Sequence, residues 1–517
     1  LRPISAAVAY RTSRSPAASE VQAVVSHVLG LSRHQVVVTS PRMGGGFGGK
    51  ETQGNTTAAL VALAAHRSGR AVRMQLERDV DMQITGKRHP MLATWEVGFD
   101  DDGRVRAFDC RLVSDGGYAL DLSESIMDRA LFHLDNAYLF EHVRFEGRIA
   151  KTNVASNTAF RGFGGPQGIL VVEDMLTRVA ATLGLAPELV RERNFYPASG
   201  AVTHYGQQLT DHRVPRMWSA LKDSAGYTAR RRDIDAANLA SPYVKRGLAI
   251  TPVKFGISFT VGVLNQAGAL VVMYRDGTVQ VNHGGTEMGQ GLHTKIAGIV
   301  MRELGVSAEQ VRVMKTQTDK VPNTSATAAS TGADLNGAAV RDACATLRAR
   351  LAPVGARLLR ERSGGEVQPD DLVFLNGYLR PGSLSGSVQV SVADLCEAAY
   401  QARVQLAATG FYRTPDIHYD RTAGRGKPFH YFAHGVAVCE VELDGLTGMK
   451  RVRRVDILHD VGDSLNPSID RGQIEGAFVQ GMGWLTGEEL TWSTDGRLLT
   501  HSASTYQVPA FSDAPAE

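Results

Sequence analysis

The run GGGFGGKE at residues 44–51 has the composition of a loop that binds phosphate. From Gly44 it fits G-x-x-x-x-G-K, but Glu51 follows where a phosphate loop needs Ser or Thr to hold magnesium. It also contains G-x-G-x-x-G, the turn that binds dinucleotides, but the acid expected about 20 residues later is matched only by Glu77, which is somewhat late. The spacing therefore completes neither nucleotide motif.

Three further glycine-dense segments occur later in the chain, and each leads into a pattern typical of a helix. They are SNTAFRGFGGPQG at 156–168, HGGTEMGQG at 283–291 and GQIEGAFVQGMG at 472–483. Glycine lets the backbone approach a ligand closely, and the N-terminus of a helix favours anions. With the first loop, these segments predict one large, polar, anionic ligand bound from several sides. The alternative for each loop is a tight turn that needs glycine for steric reasons.

The composition predicts an ordinary globular protein with about two to four domains. Of the 517 residues, 43% are hydrophobic and 21% are charged, which is a usual balance. The 56 basic and 53 acidic side chains leave a net charge of +3, which is too even to indicate nucleic acid or a membrane surface as a partner. No apolar run reaches the roughly 18 residues of a membrane span. The closest, AALVALAA at 58–65, predicts a short buried helix.

The cysteines and histidines show no spacing typical of metal ligands. The chain has four cysteines, which are Cys110, Cys344, Cys396 and Cys439. They lie too far apart for a C-x-x-C pair that binds zinc or an iron–sulfur cluster, so we expect buried thiols in a reducing cytoplasm. Four histidines close to the motifs also lack ligand spacing, and none is assigned to a metal: His89, His133, His283 and His293.

Asp-Gly pairs between alternating apolar and polar residues predict several β-hairpins. They occur at 96–108, 270–281 and 490–500, with a looser version at 441–452. Amphipathic helices are predicted between them. In the clearest, the apolar residues after Pro166 recur every three or four positions up to Gly184, so proline opens the helix and glycine closes it. Similar patterns at about 291–304, 337–351 and 391–403 complete an α+β fold class.

A charged stretch at 228–247, TARRRDIDAANLASPYVKRG, separates two halves that both contain hairpins, glycine-rich loops and helices. We interpret it as a solvated helix that joins two domains. The predicted organisation is an unmatched stretch at 1–19, a first domain at 20–225, a linker at 226–246 and a second domain at 247–517.

A series of motifs, in one order along the chain, resembles a known family. The motifs are MGGGFGGKE, TGKRHP, DRALFH, SNTAFRGFGGPQG, KFGISFT, LNQAGAL, HGGTEMGQGLH, VPNTSATAAS, ATGFYRTP, SLNPSID and GQIEGAFVQG. Together they resemble the molybdenum-cofactor-binding part of the xanthine dehydrogenases, within the family of molybdenum hydroxylases, from about Glu20 to about Asp513. The resemblance implies two elongated mixed α/β domains that hold molybdopterin between them. The first loop would then wrap this cofactor and bind no nucleotide.

The resemblance carries cofactor and substrate roles onto matching positions. Residues that would contact the cofactor are Phe47, Arg161, Gln290, Ala329 and Gln473. Residues that would bind a purine are Glu51 and Arg129 at its polar edge, Phe163 and Phe259 on its two faces, and Thr260 beside them. Such groups suit a phosphate-bearing pterin and a flat heterocycle. From the residues alone, Arg129 could instead be a surface helix residue in an ion pair, and Phe259 could belong to the core.

In this family, the resemblance implies hydroxylation of hypoxanthine to xanthine and of xanthine to urate. Molybdenum would be held chiefly through the pterin, which explains why the sequence needs no metal-ligand motif. Electrons would pass to iron–sulfur clusters and FAD on a partner subunit or other domains, and then to NAD, in a cytoplasmic dimer of heterodimers. The related aldehyde oxidases generally lack the pair formed by Glu51 and Arg129, so the pair favours a purine over an aldehyde.

The sequence departs from the family at both ends. The glutamate general base of the family lies in a Gly-Glu-Pro-Pro segment, which this sequence does not contain, and residues 1–19 do not match the glutamine-containing loop expected there. We therefore expect a central piece of the family's subunit. Four functions stay open at this point: part of a working purine hydroxylase, an inactive truncated fragment that binds at most molybdopterin or a partner subunit, an aldehyde oxidase-type hydroxylase, and a nucleotide-binding enzyme in which Glu51→Ser improves ATP or NAD binding.

Overall fold

The structure is a computed structural model that describes residues 8–10, 15–321, 324–382 and 388–515. Parts of the predicted unmatched stretch 1–19 lie outside these ranges. The described chain contains helices together with sheets in which most strand pairs are antiparallel and a few are parallel, consistent with the α+β prediction. By its internal contacts the chain divides into two compact units that alternate along the sequence. Unit 1 comprises Leu1–Gln75, Val261–Pro415 and Leu465–Ile469, and unit 2 comprises Leu76–Thr260, Asp416–Ser464 and Asp470–Glu517.

The described residues of unit 1 form three sheets and five α-helices. Its helices are Ala18–Leu29, Gly54–Ser68, Leu292–Leu304, Gly332–Ser363 and Val392–Gln401. The first sheet contains, in spatial order, the strands Val8–Tyr10, Val36–Ser40 and Thr316–Gln317. The second contains Val311–Val313, Val279–His283, Gln266–Met273 and Ala407–Arg413. The third contains Leu372–Leu375, Tyr378–Pro381 and Val390–Ser391. The helices Ala18–Leu29 and Gly54–Ser68 pack through Val21, Val25 and Ala58 onto the first sheet. This packing fixes the strand and the helix on either side of the first glycine loop.

Unit 2 is built around two three-stranded sheets. The first sheet contains, in spatial order, the strands Met91–Phe99, Val105–Gly117 and His142–Lys151. The second contains Lys450–His459, Tyr431–Asp444 and Val244–Ile257. Two short pairs of strands are Ala201–Val202 with Gln208–Leu209, and His418–Asp420 with Arg425–Lys427. Its helices are Arg78–Ile84, Ser123–Phe132, Gly165–Leu183, Pro187–Asn194, Val214–Ser224 and Tyr227–Ala240, together with most of Pro467–Thr486. Val172, Met175 and Leu176 pack into the core on the first sheet.

Most of the predicted elements are confirmed. The Asp-Gly turns at 96–108, 270–281 and 441–452 join antiparallel strands. The predicted helix after Pro166 spans Gly165–Leu183 and ends at a left-handed Gly184. The helix predicted at 337–351 is longer, Gly332–Ser363, because buried Leu351, Val354 and Leu359 continue its apolar face beyond Pro353.

Two of the predicted elements are wrong in part. The hairpin predicted at 490–500 consists of one isolated bridge between Trp492 and Leu498, because its side chains are largely exposed and give strands no apolar face to bury. The helix predicted as buried at 58–65 is amphipathic, with Ala58 and Ala62 buried and Leu60 exposed.

The predicted linker region is a helix, Tyr227–Ala240, which packs within unit 2. Its residues Tyr227 and Ile234 are buried against Leu248 and Ile250 of the strand that follows. The predicted division into domains at 20–225 and 247–517 stays a prediction, since the compact units follow a different, interleaved division. Among the residues that the structure describes, no helix has both the length and the apolar character to cross a bilayer.

Candidate functional site

The first glycine loop, residues 44–51, lies between a strand and a helix of unit 1. Within the described ranges, no acceptor binds the backbone N–H groups of residues 44–49. Phe47 is 53% exposed and has a left-handed backbone with φ of 52°. The Lys50 ammonium donates to the Gly45 carbonyl oxygen at 2.7 Å, which closes the loop on itself. A row of free amides held in a fixed loop suits an anionic or acceptor-rich ligand.

The third glycine segment, 283–291, corrects the expectation that all four segments offer free amides. The Glu287 carboxylate accepts the N–H groups of Gly289 and Gly291 at 2.8 and 3.0 Å, and that of His293 at 2.8 Å. The chain's own anion therefore occupies the N-terminus of the helix Leu292–Leu304. The signal was present in the sequence, because an acid just before a helix start is a usual cap.

The side chain of Gln290 is held by the same turn. Its Oε1 accepts the Met288 N–H at 2.6 Å, and its Nε2 donates to the Thr286 carbonyl at 3.0 Å. Gln290 is therefore oriented by the loop itself, before any ligand binds.

Glu287→Gln is expected to lower the free energy of unfolding by about 1–2 kcal/mol, because an amide nitrogen replaces one oxygen that accepts a backbone N–H. Burial alone would raise the pKa of Glu287, but the N–H donors of His293, Gly291 and Gly289 outweigh it and hold the pKa below its ordinary value of 4.5. The stabilisation is thus fully present above about pH 4.5 and is lost as the pH falls through the lowered pKa. Urea unfolding at pH 7 and at acidic pH measures both effects.

The control for this prediction is Glu361→Gln, which changes an exposed glutamate of unit 1 that pairs with Arg357 on the same helix. It should cost less than about 0.5 kcal/mol at pH 7. Equal losses in the two variants would contradict a capping role for Glu287.

The structure brings together the three loops of unit 1 that carry predicted cofactor residues. The Met43 N–H donates to the Glu287 carbonyl at 2.9 Å, which links the loop of Phe47 to the loop of Gln290. The Thr286 N–H donates to Thr327 Oγ1 at 2.8 Å, which links the loop of Gln290 to the segment that contains Ala329. Phe47, Gln290 and Ala329 therefore lie on three loops that are hydrogen-bonded to one another.

Left-handed backbone conformations concentrate at the predicted ligand-binding positions. The described parts of the chain contain nine non-glycine residues with positive φ, and Phe47, Phe163 and Ala329 are three of them, at 52°, 54° and 56°. Such a conformation is unfavourable for a bulky side chain and is retained where the surroundings impose it, commonly in ligand-binding loops. The sequence shows only that glycines flank Phe47 and Phe163, not that these phenylalanines adopt the conformation.

In the second glycine segment, 156–168 in unit 2, some of the glycines are needed for steric reasons and not for binding a ligand. A Cβ atom at Gly164 or Gly168 would overlap the carbonyl oxygen of Ile126 or Ala130 on a neighbouring helix. These glycines allow two helices to pack closely, and they do not serve to approach a ligand. Arg161 and Phe163 lie in the turn just before, where both side chains are half-buried.

The fourth segment, 472–483, is not a loop, which corrects the prediction. It lies inside the helix Pro467–Thr486, where a Cβ atom at Gly472, Gly476 or Gly481 would meet no atom within 4 Å. The Arg161 Nη2 donates to the Gln473 carbonyl oxygen at 2.9 Å and approaches Gln473 Oε1 at 3.4 Å. The two cofactor residues predicted in unit 2 are therefore in direct contact.

Arg129 is buried, and the surface alternative for it is wrong. The residue is only 2% exposed. Its guanidinium donates to the carbonyl oxygens of Gly256 and Ser258 at 2.7 and 2.5 Å. The guanidinium carbon also lies 5.2 Å from the ring centroid of Phe255 and 5.0 Å from that of Phe429. Burial lowers the pKa of Arg129 to about 10, so the group stays charged at neutral pH.

The residues that follow this anchor are the predicted substrate residues Phe259 and Thr260. Both are half-buried, so Phe259 is not a core residue. His133 holds the same segment, because its Nδ1 contacts the Arg129 carbonyl at 2.8 Å and its Nε2 accepts the Gly256 N–H at 3.1 Å. Burial and the nearby cations of Arg129 and Lys254 lower the pKa of His133 to about 3, so it is neutral at physiological pH.

Glu51 ends the first loop in unit 1, where it is 8% exposed. Its carbonyl oxygen accepts a hydrogen bond from Ser15 Oγ at 3.4 Å. The sequence patterns did not indicate that Glu287 caps a helix or that His133 holds a neighbouring segment, although both residues lie in quoted motifs.

The thiols and imidazoles do not form a metal site in the part of the chain that is described. No group of three or more His, Cys, Asp or Glu residues there is arranged to bind a metal ion. Cys110, Cys344 and Cys396 are buried free thiols, and Cys439 is half-buried. Burial raises the pKa of the Cys110 thiol to about 12, so it is neutral at physiological pH.

Two family models, both described as molybdopterin cofactor-binding domain, match residues 10–195 and 220–515. The chain belongs to this family of molybdopterin cofactor-binding domains. The residues fit such a group, since the free amides of 44–49 in unit 1 and the guanidinium of Arg161 in unit 2 are each donors suited to a phosphate-bearing pterin. The predicted molybdopterin cofactor is thereby confirmed.

The chain is also similar to curated proteins named xanthine dehydrogenase. It is 49% identical over 96% of its length to the xanthine dehydrogenase/oxidase of Felis catus, and 44% identical over 96% to the xanthine dehydrogenase of Dictyostelium discoideum. In both cases the chain spans 35% of the length of the relative.

Among solved structures, the fold is similar to quinoline 2-oxidoreductase from Pseudomonas putida 86, with a TM-score of 0.84 at 24% identity over 97% of this chain and 64% of the other. It is also similar to the aldehyde oxidoreductase from Desulfovibrio gigas, with a TM-score of 0.80 at 24% identity over 97% of this chain and 50% of the other. At these identities the likeness shows the fold alone, and it confirms the predicted α+β fold of the molybdopterin-binding region.

Proposed function

We propose that this chain forms the cofactor- and substrate-binding part of a molybdenum hydroxylase that converts hypoxanthine to xanthine and xanthine to urate. The observation that carries the proposal is the identity of 44–49% over 96% of the chain to proteins named xanthine dehydrogenase. Similarity over almost the whole chain supports a shared cofactor and a shared class of reaction. Because it spans 35% of those relatives, the complete reaction is assigned to the full-length protein.

Phe47, Arg161, Gln290, Ala329 and Gln473 hold the cofactor in this proposal. The three hydrogen-bonded loops of unit 1 provide backbone amides and a fixed Gln290, and the contact between Arg161 and Gln473 provides a cation in unit 2. When bound, the molybdenum cofactor supplies the oxygen-transfer and two-electron chemistry of the reaction. The chain's own residues contribute binding, orientation and exclusion of water.

Glu51, Arg129, Phe163, Phe259 and Thr260 bind the purine. The rings of Phe163 and Phe259 provide stacking faces, and Glu51 accepts hydrogen bonds from the N–H groups at the purine edge. Arg129 contributes positive charge near that edge and also fixes the backbone that leads to Phe259. A flat heterocycle with donors and acceptors on its rim satisfies all five residues, whereas a simple aldehyde does not.

Other parts of the full-length protein supply the remaining functions in this proposal. We assign the glutamate general base of the reaction to another part of the full-length protein. Iron–sulfur clusters and FAD on partner domains or a partner subunit pass the electrons to NAD, in a cytoplasmic dimer of heterodimers.

The cofactor role is tested by Arg161→Lys in the full-length protein. Lysine keeps the charge but lacks the planar guanidinium whose Nη2 reaches both oxygens of Gln473, so the bound molybdopterin per polypeptide is expected to fall about 10-fold. The content is measured by release and oxidation of the cofactor to a fluorescent pterin. Arg144→Lys, on an exposed strand position of the same unit, is the control and should keep the full content. Equal cofactor contents in the two variants would overturn this role of Arg161.

A further inference from the structure

Arg88 contacts two aromatic rings in unit 2 and the backbone of Arg161. Its guanidinium carbon is 4.3 Å from the ring centroid of Phe160 and 4.7 Å from that of Trp484. Its Nη2 donates to the Arg161 carbonyl oxygen at 3.0 Å. A guanidinium that contacts two ring faces and donates to a carbonyl oxygen is held in place by three partners.

The ring of Trp484 belongs to the helix Pro467–Thr486, which also carries Gln473. The two residues are 11 positions apart, and at about 100° per residue they project from the same face of the helix. This face is attached to the segment 156–168 at two points: Arg161 binds Gln473, and Arg88 joins Trp484 to Phe160 and Arg161.

The surroundings keep Arg88 in its charged form. Burial lowers its pKa to about 10, and the nearby Glu488 and Tyr506 act in the opposite direction, so it remains a cation at neutral pH. The Tyr506 hydroxyl donates to Glu488 Oε2 at 2.6 Å, and the Glu488 N–H donates to the Gly483 carbonyl at 2.9 Å. The carboxylate is thus fixed next to the helix turn that carries Trp484.

We propose that Arg88 is a positioning residue for the cofactor: it fixes the backbone of Arg161 and the helix of Gln473, so that the guanidinium of Arg161 is oriented before the cofactor binds. The inference rests on the proposed cofactor role of Arg161. Arginine is required because only a planar group stacks on both rings while it donates to the carbonyl. Lysine has the charge but neither the shape nor the fork.

The test measures the rate at which molybdopterin is lost from the full-length holoenzyme and from its variants Arg88→Lys, Arg161→Lys and the double variant. Arg178→Lys is the control, because Arg178 lies over Trp95 at 5.9 Å in the same unit and pairs with Asp174 on an exposed helix face. Free cofactor is removed by gel filtration, and the retained pterin is quantified over time. Thermal unfolding of each variant is recorded in parallel.

We expect Arg88→Lys to lose cofactor about 10-fold faster than the parent protein, and Arg161→Lys at least as fast. The double variant should lose it no faster than Arg161→Lys, because Arg88 acts on the cofactor through the orientation of Arg161. Arg178→Lys should behave as the parent. If Arg88→Lys does not fold, Trp484→Leu and Trp484→Phe test the same contact: Trp484→Phe keeps a ring face and should retain cofactor, whereas Trp484→Leu should lose it.

The outcomes separate the inference from the proposed function. If Arg161→Lys loses cofactor and Arg88→Lys, or Trp484→Leu in its place, behaves as the control, the positioning role is wrong and the cofactor role of Arg161 stands. If Arg161→Lys itself retains cofactor, the proposed cofactor role is wrong and the inference fails with it. Additive losses in the double variant would show that Arg88 acts by another route and would also overturn the inference.

Discussion

Replacing Glu51 with alanine is expected to lower kcat/KM for hypoxanthine and xanthine by about 100-fold, while turnover of a simple aldehyde changes by less than about 3-fold. A purine has N–H groups at its rim that need an acceptor in a water-poor site, and the carboxylate of Glu51 provides one in the proposed site. An aldehyde has no such groups, so it loses nothing when the carboxylate is removed. Steady-state kinetics of the full-length protein gives, for each substrate class, the ratio of the parent's kcat/KM to that of the variant.

The control is Glu366→Ala, which removes an exposed carboxylate elsewhere in unit 1 and should leave both ratios unchanged. The molybdopterin content of Glu51→Ala is measured alongside, so that loss of cofactor is distinguished from loss of purine binding. Equal reductions for purine and aldehyde at full cofactor content would sink the assignment of a purine-binding role to Glu51.

The elements that flank the site follow from local sequence patterns. The helix after the first loop, Gly54–Ser68, was predicted in part from the apolar run at 58–65. The same holds for the helix Gly165–Leu183 and its end at Gly184. These features depend on neighbours within a few residues, which a sequence displays directly.

The amides that each loop offers could not be predicted from glycine content alone. Four glycine-dense segments suggested four similar loops, but the Glu287 carboxylate caps one of them and another is the interior of a helix. Glycine permits close approach and unusual φ values, but it does not specify whether a ligand, a carboxylate or a neighbouring helix makes the approach. Gly164 and Gly168 make room for a helix.

The contacts of the arginines depend on partners far away in the sequence. Arg161 contacts Gln473, 312 positions later, and Arg129 contacts Ser258, 129 positions later. No periodicity or spacing reveals such pairs. The resemblance to the molybdenum hydroxylases named Arg129 and Arg161 as ligand-binding residues, and the structure adds that both are held by backbone carbonyl groups of their own unit.

Arg129→Met is expected to lower the free energy of unfolding of the full-length protein by about 3 kcal/mol, because it leaves the carbonyl oxygens of Gly256 and Ser258 buried without their donor. The variant also loses the contacts of the guanidinium with the rings of Phe255 and Phe429. Urea unfolding at neutral pH measures the change. The lysine of Arg129→Lys can donate to one of the two carbonyl oxygens, so this variant should lose about half as much free energy of unfolding.

Arg111→Met is the matched control, since Arg111 pairs with Glu146 at 3.0 Å on an exposed face of the same unit. An exposed pair of this kind contributes about 0–1 kcal/mol, so the two methionine variants should differ by about 2 kcal/mol or more. Because Arg129 fixes the backbone that leads to Phe259 and Thr260, its loss should also lower purine turnover by about 100-fold. Equal stability of the two variants would contradict the anchoring role of Arg129, and its purine role would then have to rest on a direct contact with the substrate.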